Sequence, residues 1–292
     1  MKAKSTVHGA ATIVNAIATG LGAAFGVSLW TKACVMLVDN PEGLEVSIRG
    51  APEEDTSLVK HCLMVVLERF KLSDRFGARI ETESSIPIAC GLKSSSAAAN
   101  AVVLAILGAL GKGDLDPLEI VRLGVTAARR AGVTVTGAFD DACASYFGGI
   151  IATDNAKLEI VKRFSFNQPY SVLIHIPFEK QYTKDVDVAR TKLLSPQIRL
   201  AFREATEGRY WNAMVLNGLL YSSILGYDPS IALDALASGA VSAGLSGKGP
   251  SVTAIVAEEN VDNVREAWDA YEGRLLETTT SEQPVKLVVI SG

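Results

Sequence analysis

Ile86-Pro87-Ile88-Ala89-Cys90-Gly91-Leu92-Lys93-Ser94-Ser95-Ser96-Ala97-Ala98-Ala99-Asn100 decides the reading of this chain. A short apolar entry meets a glycine, a lysine and three hydroxyls, and an alanine-rich run follows at once. This is the pattern of a loop feeding the N-terminus of a buried helix. Such an end carries backbone N–H groups without helical partners and a partial positive charge. It binds phosphate readily. Gly91 lets the backbone come close, and the serine hydroxyls can donate to phosphate oxygens or ligate a metal. The same stretch also suits a serine-capped core helix with nothing bound.

Composition narrows the setting. The chain has 292 residues, 48% of them hydrophobic, enough for one large or two modest domains. A net charge of −4 argues against a nucleic-acid surface. Cys34, Cys62, Cys90 and Cys143 share no short pair spacing, so neither a zinc site nor a disulfide frame is expected. The N-terminus does not read as a signal peptide, and the longest apolar run, Ala97 to Leu110, is too short to span a bilayer. The expectation is a cytoplasmic protein without membrane or nucleic-acid partners.

Along the chain, Ala10–Ala18 and Phe25–Val38 read as strands joined by a glycine-rich turn at 20–24. Glu45–Arg49 and Arg79–Glu83 alternate like strands, and Thr56–Phe70 has helical spacing. The helix from Ser94 is apolar all round and should be buried. Asp116-Pro117 opens another helix that Gly132 closes. Gly149–Thr153 and Leu158–Val161 read as paired strands, and Tyr170–Ile176 as a strand. Composition shifts near 162–169, which places the expected division at residues 1–165 and 166–292. Helices then cover 195–206, 210–225 and 229–237. A strand–loop–strand spans 241–257, followed by an amphipathic helix over 261–271 and a closing strand at 285–290.

Two further constellations carry chemistry. Ser242-Ala243-Gly244-Leu245-Ser246-Gly247-Lys248-Gly249-Pro250-Ser251 is a second glycine-rich loop, fit for a phosphate cradle or simply a wide turn. It is neither a Walker A loop nor a dinucleotide fingerprint. The other is Thr136-Gly137-Ala138-Phe139-Asp140-Asp141-Ala142-Cys143-Ala144-Ser145, two adjacent acids among small and apolar neighbours. Buried acids need partners. One of them suits the N-cap of a helix from Ala142; functionally, one suits a base or orienting group for a substrate hydroxyl.

Pro87–Ala98 resembles the phosphate-binding motif of the GHMP kinases, Pro-x-x-x-Gly-Leu-Gly-Ser-Ser-Ala-Ala. Gly244–Ser251 resembles their C-terminal glycine motif, in its homoserine-kinase form. Asp141–Gly148 resembles the segment that holds the family's catalytic aspartate. The three stand in family order over nearly the whole chain. Thr12–Gly20, Gly91–Ser96 and Thr136–Asp141 are most similar to the archaeal shikimate kinase branch, which phosphorylates the 3-hydroxyl of shikimate.

The resemblance implies an α+β, two-domain fold: an N-terminal domain like ribosomal protein S5 domain 2 and a ferredoxin-like C-terminal domain. It implies ATP and Mg²⁺ as cofactors. ATP would lie on Pro87, Ile88, Ala89, Cys90, Gly91, Leu92, Lys93, Ser94, Ser95, Ser96 and Ala97, with Gly247, Lys248 and Gly249 opposite. Asp141 would be the base and Lys93 a phosphate contact. Position 93 is lysine where most of the family has glycine, and Arg130 stands where several relatives carry a metal-binding glutamate. Mg²⁺ is therefore assigned to Ser95, nucleotide and water. Asp140, Thr136, Asn15, His8 and Arg190 are substrate candidates, with Lys184 and Arg130 further partners for a carboxylate. Homoserine kinase, another small-molecule kinase of the family, or a non-catalytic binding relative are the alternatives.

Overall fold

Two long strands carry the N-terminal half. β1 (Lys2–Val14) and β2 (Leu21–Val38) pair antiparallel along nearly their full length. β3 (Leu44–Ile48), helix α1 (Ser57–Arg69) and β4 (Gly77–Ser84) follow, with β3 and β4 parallel and α1 as the crossover. Then come α2 (Ser94–Ala109), α3 (Pro117–Arg130), α4 (Phe139–Phe147), β5 (Ile150–Asp154) and β6 (Glu159–Phe164). The second half holds β7 (Ser171–Ile176), α5 (Val188–Lys192), α6 (Ser195–Thr206), α7 (Tyr210–Leu225) and α8 (Ser230–Ala237). It closes with β8 (Ser242–Leu245), β9 (Val252–Val256), α9 (Val261–Trp268), β10 (Arg274–Thr279) and β11 (Lys286–Ile290). The computed structural model describes residues 1–88, 90–134, 136–178 and 188–290.

Among the described residues there are two sheets. The first runs β11-β1-β2-β4-β3, with β5 also on β2 and β6 on β5. The second is antiparallel in the order β10-β7-β9-β8. Numbered within its own half, that order is 4-1-3-2, with helices between its first and second and its third and fourth strands. It is the ferredoxin-like arrangement. The architecture is α+β, as expected. The connection near residue 165 joins β6 of one sheet to β7 of the other. The chain nonetheless ends in the first sheet, because β11 pairs with β1.

α2 is the buried axis of the first half. From Ser96 to Ala109 almost every residue is buried, in keeping with its all-round apolar face. Its fixings are polar: Ser5 Oγ donates to the Ala101 carbonyl at 2.6 Å, and Asn100 Nδ2 donates to the Ala142 carbonyl at 2.8 Å. The second contact ties α2 to α4. In the apolar core, such bonds hold register where packing alone would permit sliding.

Four local expectations change. β1 begins at Lys2 and ends at Val14, because Asn15 turns the chain: its Oδ1 accepts the Ile17 N–H, and its own N–H goes to Asn217 Oδ1. The glycine-rich stretch at 20–24 is not a turn throughout. β2 already starts at Leu21 and pairs with β5 there. α4 starts at Phe139, so neither aspartate caps it and both lie in its first turn. α9 also stops at Trp268, short of Tyr271.

Gly108 stands within α2 for a tertiary reason. A Cβ there would lie 2.6 Å from Leu287 Cδ1 on β11 and 3.0 Å from Ala3 Cβ on β1. Gly108→Val should therefore destabilise the protein by about 1–3 kcal/mol in denaturant titration, and Leu287→Ala in the same chain should recover part of that loss. Additive losses would mean that the two residues do not share this space.

Candidate active site

The site forms where the N-termini of α2 and α4 meet the loop between β8 and β9. It is a cleft of ≈ 330 Å³. The first intrahelical bond of α2 runs from the Ala97 N–H to the Lys93 carbonyl. The N–H groups of Ser94, Ser95 and Ser96 thus have no helical partner, and no side chain caps the helix. Ser94, Ser95 and Ser96 line the cleft with Ile88, Gly91 and Leu92. This is an anion cradle by chemistry and by geometry.

Lys93 occupies the N-cap with φ +62, in the left-handed region that glycine prefers. A lysine in that region is strained, of order 1–3 kcal/mol. Its side chain does not lie along the open helix end. Nζ sits 3.2 Å from Asp141 Oδ2, in an ion pair whose side chains are only 12% and 10% exposed. The expected phosphate lysine is thus the partner of the expected base.

Gly91 and the opposite loop are pressed together. Gly91 has φ +73, and a Cβ on it would fall 2.3 Å from the Ser246 carbonyl oxygen. Ser246 Oγ donates to the Gly91 carbonyl at 2.9 Å. The Gly247 N–H donates to Thr12 Oγ1 at 2.9 Å, and Asn15 Nδ2 donates to the Gly247 carbonyl at 2.9 Å. Gly247, Lys248 and Gly249 line the cleft from this side. Asn15 lines it too, but its amide is already engaged with Gly247 and Ile17, so it fastens the two halves.

Asp140 and Asp141 both face the cleft and are both buried. Asp140 Oδ1 accepts from Asn155 Nδ2 at 2.8 Å. Asp141 Oδ1 is buried with no partner. Burial, and secondarily the neighbouring Asp140 charge, raise the Asp141 pKa from 3.8 to about 7, against the opposing pull of Lys93. A carboxylate whose pKa is raised toward neutrality and that keeps one oxygen unpartnered has the makings of a general base.

Thr136 lines the cleft, with its hydroxyl 3.4 Å from both the Ala138 N–H and Asn155 Nδ2. Other expected residues do not line it. His8 is buried on β1, and its carbonyl accepts from Ser145 Oγ of α4. Both its ring nitrogens are buried without a hydrogen-bond partner. Arg190 is exposed on α5 and does not reach the cleft wall. Arg130 pairs with Glu68 on the surface. Pro87, Cys90 and Ala97 do not line the cleft either; Cys90 donates its S–H to the Ile88 carbonyl, and Ala97 is buried in the core. Ala89 and Lys184 lie outside the described residues. Sequence reading missed Asn155, Gly22 and Arg129. Nothing local marks them, since each acts across the fold.

Residues 57–149 match the model of the GHMP kinase N-terminal domain. A shikimate kinase of Methanosarcina acetivorans is 50% identical over 94% of this chain and 92% of its own length. A shikimate kinase of Methanothermobacter thermautotrophicus is 43% identical over 99% of both. The chain belongs to the GHMP kinases. It is a small-molecule kinase, a phosphotransferase. The fold agrees: homoserine kinase from Cytophaga hutchinsonii superposes with a TM-score of 0.76 at 19% identity, covering 98% of this chain and 97% of the other. Mevalonate kinase from Methanococcus jannaschii gives 0.76 at 15% identity, over 95% and 98%.

A base must be ionised to accept a proton, and the fold raises the Asp141 pKa, so activity should be lost on the acid side. kcat/KM for the alcohol should rise with pH through a midpoint near 7 and level off above about pH 8. Below that midpoint it should fall about tenfold per pH unit. A profile flat from pH 5 to 8 would remove Asp141 as the titrating base.

Proposed function

We propose that this kinase transfers the γ-phosphoryl group of ATP to the 3-hydroxyl of shikimate. The observation that carries this reading is the identity of 42–50% over nearly the full chain to several archaeal proteins named shikimate kinase. The paired acids Asp140 and Asp141 suit a polyhydroxylated substrate, because ionised carboxylates accept from hydroxyls.

Phosphoryl transfer is chiefly positioning plus charge neutralisation. The phosphates would lie on the Ser94–Ser96 N–H groups, with Lys93 and Lys248 as the cations lining the cleft among the described residues. Among the described residues no group of three acids, histidines or cysteines is placed to hold a metal. The donor set still fits Mg²⁺, which keeps several waters and binds through phosphates. Ser95 would supply the protein oxygen. When bound, Mg²⁺ supplies neutralisation of the phosphate charge.

The substrate hydroxyl donates to Asp141 Oδ1, the oxygen that has no partner within the fold. Its proton passes to Asp141 as the new O–P bond forms and the bond from the γ-phosphorus to the ADP oxygen breaks. Lys93 holds the other oxygen of the same carboxylate, which fixes its direction. Asp140 receives a second hydroxyl and orients the ring. The protein is expected to act in the cytoplasm.

Asp141→Asn should cut kcat about 10²- to 10⁴-fold while nucleotide still binds, as read by coupled ADP release and by calorimetry. Wild-type turnover should be robust with shikimate and absent with homoserine, mevalonate and galactose. Turnover with one of those instead would keep the kinase and overturn the substrate.

A further inference from the structure

Asn155 lies in the turn between β5 and β6, fifteen residues beyond Asp140, and is 1% exposed. Nothing in the resemblance points to it. Its side chain nonetheless forms a closed ring with the aspartate. The Asp140 backbone N–H donates to Asn155 Oδ1 at 3.1 Å, and Asn155 Nδ2 donates back to Asp140 Oδ1 at 2.8 Å. Thr153 Oγ1 donates to the same Oδ1 at 2.7 Å, and Thr136 Oγ1 lies 3.4 Å from Nδ2.

The orientation of the amide follows from chemistry. A backbone N–H only donates, so the atom facing it is the amide oxygen. The nitrogen then faces the carboxylate, which only accepts when ionised. The turn itself is held. The Asn155 N–H donates to the Gly20 carbonyl at 2.8 Å, and Arg129 Nη2 reaches the Asn155 carbonyl at 3.4 Å. The second Asp140 oxygen is walled by Gly22, where a Cβ would fall 2.3 Å from Oδ2. Asp140 is therefore seated between an amide on one side and a bare backbone on the other.

We propose that Asn155 is a positioning residue that pins the Asp140 carboxylate beside Asp141, so that the pair offers one anchored acceptor and one base. The inference rests on the kinase reading of this cleft and deepens it. Without the pin, Asp140 is free to rotate away from substrate or to share a proton with Asp141. The charged and titratable groups around the pair are Lys93 from the α2 loop, Lys248 from the β8–β9 loop, Arg129 from α3 and Tyr221 from α7. Cys143 lies on α4 itself, with Arg122 and Arg163 beyond it. Of these, Lys93 makes an ion pair with the acids.

Asn155→Asp is the sharpest test. It is isosteric and keeps the acceptor for the Asp140 N–H and for Thr153, and it removes the donor to the Asp140 carboxylate. Two carboxyl groups then face each other at Asp140, and the added negative charge beside the pair favours the protonated form of its members, Asp141 included. The KM for the alcohol should rise about tenfold or more, with the KM for ATP within about twofold. The acid limb of the pH–rate profile should move up by about one unit. Asn155→Ala removes the pin without adding charge and should reproduce the KM split. The direct readout is the ¹³C-carboxyl aspartate NMR titration of ligand-free protein, with Asp141 assigned from its loss in Asp141→Asn; its midpoint should rise in Asn155→Asp.

If both variants lower only the melting temperature or kcat, with KM values and the Asp141 midpoint unmoved, Asn155 is merely structural and the proposal falls. The two readings fail separately. A wild type inactive on every alcohol, with the NMR midpoint still displaced in Asn155→Asp, would sink the substrate and keep the pin.

Discussion

The buried ion pair between Lys93 and Asp141 is the contact around which the cleft is organised. It joins the first residue before α2 to the first turn of α4, two helix ends that are far apart in sequence. A buried pair is expensive to desolvate and is retained where its geometry serves a purpose. Here the purpose is to place a cation and a carboxylate on one small volume of the cleft. The backbone accepts strain for it: Lys93 and Ala138, the N-cap residues of these two helices, both have positive φ. Asn100, buried in α2 and donating to Ala142 in α4, keeps the two helices in the register that the pair needs.

Close approach is the second constraint. The phosphate loop and the β8–β9 loop touch through Gly91 and Ser246, and α7 packs on β8 at Gly218 and Gly244, where a Cβ on Gly218 would meet the Gly244 Cα at 2.6 Å. Side chains at these points would wedge the halves apart. The cleft is therefore narrow because small residues let backbone meet backbone. Polar ties from Thr12 and Asn15 to Gly247 then hold the second loop to β1. A narrow, partly dehydrated cleft strengthens each charge within it. This is also why the same aspartate can be both paired with a lysine and raised toward neutrality.

Much of this was legible locally. The buried helix from Ser94, the Asp116–Pro117 helix start, the strand pairs and the two glycine-rich loops are written in spacing, caps and turn residues, which depend on near neighbours alone. Asp116 does accept the Glu119 N–H as an N-cap should. The misreadings have a common origin. The start of β2 at Leu21 is decided by its partner β5, and the end of β1 by Asn217 from α7. The placement of both acids in the first turn of α4 depends on Asn155 taking the Asp140 N–H. His8, a substrate candidate by resemblance, is buried on β1 and does not line the cleft.

By itself, the sequence determined the α+β class, the anion-binding helix end and the family of the three motifs. These are properties of contiguous residues, and the free energies behind them are local: capping, periodicity, backbone freedom at glycine. Only the tertiary structure decided which charges meet. Lys93 turns to Asp141 and Asn155 turns to Asp140, while β11 crosses back to β1 and its Leu287 fills the notch at Gly108. Those choices are made by burial and by the need to pair polar groups once water is excluded, and neither condition exists until distant segments have packed.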